Sequence, residues 1–159
     1  MKKIFFITLL FIVSVSGFIF AQQEADKTTH KFDPTRDPFV DVKTAVDEAT
    51  KTHKRILLDI GGEWCIWCHR LDKFIEDNDD IKTYLSENFI VIKVNFSQEN
   101  KNEKFLAQFP KIPGYPHFFV LDTDGKFLHS QGTGELEKDK SYSAELILGF
   151  LKEWSLKKN

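Results

Sequence analysis

Residues 56–68 read ILLDIGGEWCIWC, a short apolar run with one acid inside it, followed by two cysteines three positions apart. The apolar run from Arg55 to Ile60 predicts a buried strand in which Asp59 is the anomaly, and the two glycines that follow end the strand. Apolar residues then recur at helical spacing from Trp67 onward, which predicts a helix from about Cys65 to Asp77. The stretch therefore predicts a buried strand, a glycine break and a helix with a cysteine at its start.

The position of Cys65 at a helix N-terminus has a chemical consequence. Unpaired backbone N–H groups and the helix dipole stabilise an anion there, and the thiolate is the nucleophile of disulfide exchange. Cys68 lies one turn further on, close enough to attack a mixed disulfide formed at Cys65. A bond between the two would close a very small ring and restrict the unfolded chain little. This favours a redox-active Cys65–Cys68 disulfide over a structural one.

Three other interpretations of the same residues stay open at this point. One is a purely structural disulfide. Another is attachment of a c-type haem, because Cys65 to His69 read C-x-x-C-H, although the initiator is the only methionine and so no methionine could serve as an axial ligand in a processed chain. The third is a thiol-based metal-binding chaperone, for which His69 and His117 are candidate ligands but no second cysteine pair exists. We expect no metal and no cofactor.

The first 21 residues, MKKIFFITLLFIVSVSGFIFA, have the positive start, the apolar centre and the small final residue of a secretory signal peptide. The alternative is an uncleaved membrane anchor formed by residues 4–21. Either reading predicts an exported protein, periplasmic or extracellular in a bacterium, where disulfides persist. Residues 22–36 are polar and lack periodicity, which predicts a flexible leader before a domain at 37–159.

Composition excludes two further classes of protein, nucleic-acid-binding proteins and multi-disulfide scaffolds. The chain has 159 residues, with 22 basic against 24 acidic side chains, a formal charge of −2. Removal of residues 1–21 leaves 138 residues with 20 basic against 24 acidic, a charge of −4. This near-neutral charge lacks the excess of basic residues typical of nucleic-acid-binding proteins. Two cysteines also cannot build a scaffold of several disulfides. One apolar-rich domain with a single cysteine pair remains.

The rest of the chain alternates helices and strands. Periodicity predicts helices over 38–53, 79–87, 104–109 and 141–155, and strands over 89–96, 117–122 and 126–131. The last two strands are joined by Asp122-Thr-Asp-Gly125, a hairpin signal, and charged residues 135–140 predict a solvated loop. Strands separated by helices favour parallel crossovers, and the hairpin adds an antiparallel pair. The predicted class is α/β with a mixed sheet.

These features together resemble the thioredoxin family. Asp59 falls at the family's buried acid, Trp64 at the tryptophan before the first cysteine, and Lys93, within IVIKVNF, at the lysine near that acid. The loop Ile112-Pro-Gly-Tyr-Pro116 resembles the family's loop that ends in a cis-proline. The likeness covers about residues 38–155 and implies a thioredoxin-like fold, a central mixed sheet flanked by helices. The W-C-x-W-C-H form is similar to exported bacterial members and to the soluble domain of membrane thiol reductases.

The resemblance also assigns roles to residues. It implies that Cys65 attacks, Cys68 resolves and Asp59, whose pKa burial would raise, carries a proton. It implies a cis bond before Pro116, which with Tyr115 would orient the substrate backbone. The supporting residues would be Lys93 and Trp64, and Trp67 would share in substrate binding or pack in the core. His69, independently of the resemblance, would support the site by stabilising the thiolate at close range if protonated, or would be an exposed helix histidine.

The expected function is therefore an exported thiol–disulfide oxidoreductase acting on protein disulfides or thiols. By family analogy a reductase or isomerase is favoured over an oxidase, with a membrane thiol reductase as electron donor. No nucleic-acid partner is expected, and a membrane would be involved only if the N-terminal segment stays attached. The haem carrier and the metal-binding chaperone remain the alternatives.

Overall fold

The computed structural model describes residues 31–157. Its helices are α1 Pro38–Thr52, α2 Ile66–Glu76, α3 Asp79–Asn88, α4 Glu103–Leu106 and α5 Ala144–Trp154, with a 3-10 helix at Thr133–Leu136. Its strands are β1 Arg55–Gly61, β2 Phe89–Asn95, β3 His117–Leu121, β4 Phe127–Gly132, β5 Glu137–Lys138 and β6 Ser141–Tyr142. The predicted signal peptide, its anchor alternative and most of the predicted leader lie outside the described residues. Within residues 31–157, no helix is long and apolar enough to cross a membrane.

The four long strands form one mixed sheet in the order β2-β1-β3-β4. β1 runs parallel to β2 and antiparallel to β3, and β3 pairs antiparallel with β4. Helix α1 packs with apolar residues on one face of this sheet, and α2, α3 and α5 pack on the other. The central strand β1 is buried on both faces, which explains its continuous apolar run. The predicted thioredoxin-like fold with a mixed sheet flanked by helices is confirmed.

The helix ends follow from short-range chemistry. The Asp37 carboxylate accepts a hydrogen bond from the Phe39 N–H at 2.9 Å, and Pro38 occupies the first position of α1. The Ser143 hydroxyl accepts from the Leu146 N–H at the start of α5. That cap places the start of α5 at Ala144, three residues later than the predicted 141.

One predicted loop and one predicted helix differ from the structure. Residues 135–140, predicted as a solvated loop, include the end of the 3-10 helix and strand β5, which pairs with β6. Leu136 and Tyr142 are buried under this small hairpin and hold it against the core, which a reading of the local charge could not foresee. Likewise α4 ends at Leu106 and not at 109.

The predicted flexible leader is wrong for its described part. Phe32 is fully buried, and residues 31–36 lie against the domain through contacts to side chains far along the chain. The sequence offered only Phe32, one aromatic residue in a polar stretch. A single apolar residue forms no periodic pattern, so its burial could not be predicted. The described packed chain therefore begins by residue 31, ahead of the predicted domain start at 37.

Candidate active site

The two cysteines lie where β1 leads into α2, at the carboxyl end of the central strand. Cys65 is the N-cap residue of α2, and its Sγ accepts from the Cys68 N–H at 3.2 Å. The two sulfurs form a disulfide whose Cα atoms are 5.2 Å apart. Cys65 is 4% exposed and Cys68 1%. The structure thus places a close Cys-x-x-Cys pair at a helix N-terminus, with both cysteines buried.

Gly61 and Gly62 make this approach possible. A Cβ added at Gly61 would lie 2.5 Å from Cys68 Sγ, and one at Gly62 would lie 2.7 Å from the carbonyl oxygen of Phe96. Both distances are shorter than any tolerated contact, and neither neighbour is free to move away. The two glycines therefore do more than end a strand: they let the backbone pass directly beside the disulfide and the Phe96 carbonyl.

A buried charge cluster lies next to this junction. The register of β1 and β2 places Asp59 opposite Lys93. Lys93 Nζ donates to Asp59 Oδ2 at 2.5 Å, and it also donates to Asp72 Oδ1 on helix α2. Both carboxylates are buried, at 2% and 6% exposure. The structure therefore joins the predicted Asp59 and Lys93 and adds a second acid to the same ammonium.

Burial and charge act in opposite directions on this cluster. Burial raises the pKa of Asp59 above its ordinary value, and attraction to Lys93 offsets only part of that effect. Burial alone would lower the pKa of Lys93, but the two carboxylates hold it above its ordinary value. Asp59 Oδ1 has no hydrogen-bond partner among the described residues. This buried oxygen of Asp59 is thus left able to take a proton.

Sequence reasoning missed Asp72. A signal was present, because Asp72 follows Cys68 by four residues and residues at that spacing share one face of a helix. An acid beside Leu71 on the inner face of α2 could therefore have been assigned to the cysteine side. What the sequence could not give is its shared partner, Lys93, which comes from a different strand.

Trp64 stands at the entrance to the pair. Its indole N–H donates to the Phe96 carbonyl oxygen at 2.6 Å, and the side chain remains 58% exposed. Its ring meets the ring of Tyr115 edge-on at 5.6 Å between centroids, and Tyr115 stacks on Phe96 at 4.8 Å. The structure thus holds an exposed aromatic surface beside Cys65, as a substrate groove requires.

The peptide bond between Tyr115 and Pro116 is cis, as the resemblance implies. Pro116 is buried, and its carbonyl oxygen accepts from the Thr133 hydroxyl at 2.6 Å. A cleft beside it is lined by the loop 113–116, by Trp67 and by residues 132–135 and 137. Tyr115, Pro116 and Trp67, the predicted substrate-binding residues, therefore line one cleft next to the disulfide.

Trp67 and His69 each have a second contact. Trp67 is half-buried against Tyr142, edge-on at 5.9 Å, with the Arg70 guanidinium 4.6 Å from its ring centroid. It therefore serves packing as well as the cleft. His69 Nε2 lies 2.8 Å from the Glu63 carbonyl oxygen and 3.8 Å from its carboxylate. Its described polar contact is thus with Glu63, whereas a partnership with the thiolate was predicted.

His117, considered as a metal ligand, is the first residue of β3. It is buried, its Nε2 is 2.8 Å from the Ser130 hydroxyl oxygen, and burial lowers its pKa to about 4. Within residues 31–157, no group of three or more histidine, cysteine or acidic side chains is arranged to hold a metal ion.

Comparison with known proteins agrees with this geometry. A family model described as thioredoxin-like matches residues 37–123, more than half of the chain. Disulfide bond reductase DsbH of Chlamydia pneumoniae is 29% identical over 97 residues, which are 55% of this chain and 58% of that protein. Thiol:disulfide interchange protein DsbD of Actinobacillus pleuropneumoniae serotype 5b (strain L20) is 26% identical over 88 residues, 55% of this chain and 15% of that protein.

A solved structure extends the likeness beyond the family match. The disulphide isomerase from Xylella fastidiosa Temecula1 superposes with a TM-score of 0.68 at 27% identity, covering 79% of this chain and 97% of that one. The chain spans a little over half the length of the curated relative DsbH and much less of DsbD.

Proposed function

The chain belongs to the thioredoxin-like family, and on that premise we propose that it is an exported thiol–disulfide oxidoreductase that reduces or isomerises protein disulfides. Its fold and its close Cys-x-x-Cys pair are those of a thiol–disulfide oxidoreductase domain. The observation that carries the proposal is the position of Cys65, which caps α2 and is bonded to Cys68, with Trp67 and Tyr115 packed against the pair. This membership favours exchange over the haem and metal-chaperone readings of C-x-x-C-H.

The first half-reaction starts from the reduced pair. The Cys65 thiolate is stabilised by the N-terminus of α2 and attacks one sulfur of a substrate disulfide. A bond forms between Cys65 Sγ and that sulfur, the substrate S–S bond breaks, and the other substrate sulfur leaves as a thiolate that takes a proton from water. The product of this step is a mixed disulfide at Cys65.

The second half-reaction releases the substrate. The Cys68 thiol gives its proton to the Asp59 carboxylate, and Cys68 Sγ attacks Cys65 Sγ. The Cys65–Cys68 disulfide forms, the mixed disulfide breaks, and the second substrate sulfur leaves as a thiolate. The substrate has gained two electrons and the pair has lost two. The unpartnered Asp59 oxygen and the raised pKa of Asp59 support its role as the proton acceptor.

The cleft beside Pro116 would hold the substrate chain. Proline has no backbone N–H. No main-chain donor at position 116 can therefore hydrogen-bond the sulfur of an incoming substrate strand. The exposed ring of Trp64 and the ring of Tyr115 supply apolar contact on the cysteine side. We propose an extended segment around a disulfide or thiol of a protein as the occupant.

The direction of disulfide exchange and the donor that reduces the Cys65–Cys68 pair are inferred from similar proteins. The similarity to the disulfide bond reductase DsbH supports a reductase, and that to the Xylella fastidiosa disulphide isomerase supports an isomerase. Reduction leaves the pair as a disulfide that must be returned to the dithiol form after each turnover, whereas isomerisation ends with the dithiol and only requires that the pair be kept in that form. We propose a membrane thiol reductase as the donor of those two electrons, working on the periplasmic or extracellular side.

The test compares three variants in the reduction of a peptide disulfide. We expect Cys65→Ser to abolish exchange, and Cys68→Ser to form mixed disulfides that accumulate and are seen by mass spectrometry. Asp59→Asn keeps the shape of the side chain but cannot accept a proton, so release from the mixed disulfide should slow about 100-fold. Turnover that persists in both cysteine variants would contradict the mechanism.

A further inference from the structure

The N-terminal segment, residues 31–36, covers the disulfide from one side. Phe32 is fully buried, and its ring forms a small apolar cluster with Cys65 and Cys68 that is separate from the two cores on the sheet faces. A Cβ at Gly61 would lie 2.5 Å from Cys68 Sγ and 2.9 Å from Phe32 Cζ. The ring of Phe32 and the sulfur of Cys68 therefore lie against the same point of the backbone.

The segment is fixed by polar contacts at several points. The Phe32 N–H donates to Glu63 Oε1 at 2.8 Å, just ahead of the cysteine motif. Lys31 Nζ donates to Glu76 Oε1 at 2.7 Å and lies 3.5 Å from Asp72 Oδ2. The Asn100 amide donates to the Pro34 carbonyl oxygen at 2.9 Å. The segment is thus held from α2, from the residue Glu63 ahead of the motif and from the loop after β2.

The same ring also covers the charge cluster. Lys93 Nζ lies 4.8 Å from the ring centroid of Phe32, within the range of a cation–π contact, while it binds Asp59 and Asp72. Phe32 therefore lies against two groups that the reaction uses, the resolving sulfur and the ion pair of the proton acceptor.

We propose that Phe32 is a positioning residue that keeps water and outside reagents away from Cys68 and the Asp59–Lys93 pair. The inference rests on the proposed function, because it assigns Cys65 to contacts with other molecules and Cys68 to reaction within the protein. With the ring in place, the Cys68 proton passes to Asp59 without competition from solvent. Without it, Cys68 would meet electrophiles directly.

The test measures alkylation of single-cysteine proteins by iodoacetamide across pH. Cys65→Ser leaves Cys68 as the only thiol, and Cys68→Ser leaves Cys65. We expect Phe32→Ala to raise the plateau rate of Cys68 at high pH, where the thiol is fully ionised, by about tenfold or more. The rate of Cys65 should change by less than about threefold. The pH midpoint of Cys68 should also shift, since Asp59 and Lys93 become hydrated.

Matched variants separate this role from simple destabilisation. Phe32→Leu keeps an apolar side chain at the position and should restore the slow Cys68 rate. Phe39→Ala removes a half-exposed ring that packs edge-on against Phe105, away from the cluster, and should leave both rates unchanged. If Phe32→Ala does not unfold cooperatively, Lys31→Ala is used, because it loosens the segment without opening a cavity and should raise the Cys68 rate about threefold.

Two results would overturn the proposal: an unchanged Cys68 rate in Phe32→Ala or its substitute Lys31→Ala, and an equal rise at both cysteines. Alkylation rates are measured without any catalytic turnover of a disulfide substrate. A protein that gives the expected pattern but exchanges no disulfides would therefore contradict the proposed function alone.

Discussion

Lys93 is the residue on which the buried charges depend. It is the ammonium that contacts Asp59 on the neighbouring strand and Asp72 on α2, with both acids almost fully buried. Removing one partner from such a group leaves an uncompensated charge in a medium that solvates it poorly, which costs more than the pair contributes. The lysine therefore stabilises two buried acids, one on the strand that precedes the cysteines and one on the helix that carries Cys68.

We predict that Lys93→Met destabilises the oxidised protein by about 3 kcal/mol at pH 7, because Asp59 and Asp72 lose their shared counter-charge. Urea unfolding followed by fluorescence gives the free energy. The matched control is the triple variant Asp59→Asn, Asp72→Asn, Lys93→Met, which removes all three charges and should recover most of the loss. A single variant as stable as the wild type would contradict this account of the cluster.

The stability lost in Lys93→Met should depend on pH, and the direction of that dependence can be derived. Burial already raises the pKa of Asp59, and without Lys93 it rises further. Between the unfolded value of about 3.9 and that raised value, the folded variant binds more protons than its unfolded chain, so its stability falls as pH increases. The deficit against the wild type should thus be largest at neutral pH and shrink towards pH 4. A deficit that grows on acidification would refute this assignment.

At the scale of elements, the junction between β1 and α2 decides the chemistry. The strand ends at Gly61, the helix starts after Cys65, and the four residues from Gly61 to Trp64 turn the chain so that the cap sulfur reaches Cys68. The geometry tolerates no side chain at Gly61, because Cys68 Sγ occupies that space.

We predict that Gly61→Ala destabilises the oxidised protein by about 1–3 kcal/mol, the usual cost of overpacking a filled interior. The loss should be smaller in the reduced protein, whose sulfurs can separate. Gly149→Ala is the control: it lies in α5 with open space around it, so it should raise stability by about 0.5–1 kcal/mol. Urea unfolding of the oxidised and the reduced protein measures these changes in stability. Equal losses for Gly61→Ala in the two forms would show that the added methyl group does not press on Cys68.

Elements with a regular period could be predicted from sequence, and the others could not. The periodicity of α1, α2, α3 and α5 and the apolar runs of β1, β2 and β3 are local signals, and all of these elements are present within a few residues of their predicted ends. The hairpin of β5 and β6 has two-residue strands, and it exists because Leu136 and Tyr142 are buried by the rest of the molecule. No local pattern carries that information.

At the scale of the whole molecule, the site depends on contacts between distant parts of the chain. The motif, the buried acid and the proline loop are each short, so the sequence indicated Cys65, Cys68, Asp59 and Pro116 together with a thioredoxin-like fold. The contacts of Phe32 with the cysteines and of Asp72 with Lys93 join segments with no shared pattern. These were found only once the fold had brought the segments together.

The central claim, that Cys65–Cys68 is a working disulfide and not a staple, is tested by its equilibrium with glutathione. Mixtures of reduced and oxidised glutathione are incubated with the protein, and the fraction of the disulfide is read by mass spectrometry after alkylation. We predict a reversible two-electron transition with a midpoint between about −180 and −270 mV, the range of isomerases and reductases. A midpoint below about −300 mV, typical of structural disulfides, or one near −120 mV, typical of a strong oxidant, would contradict the account.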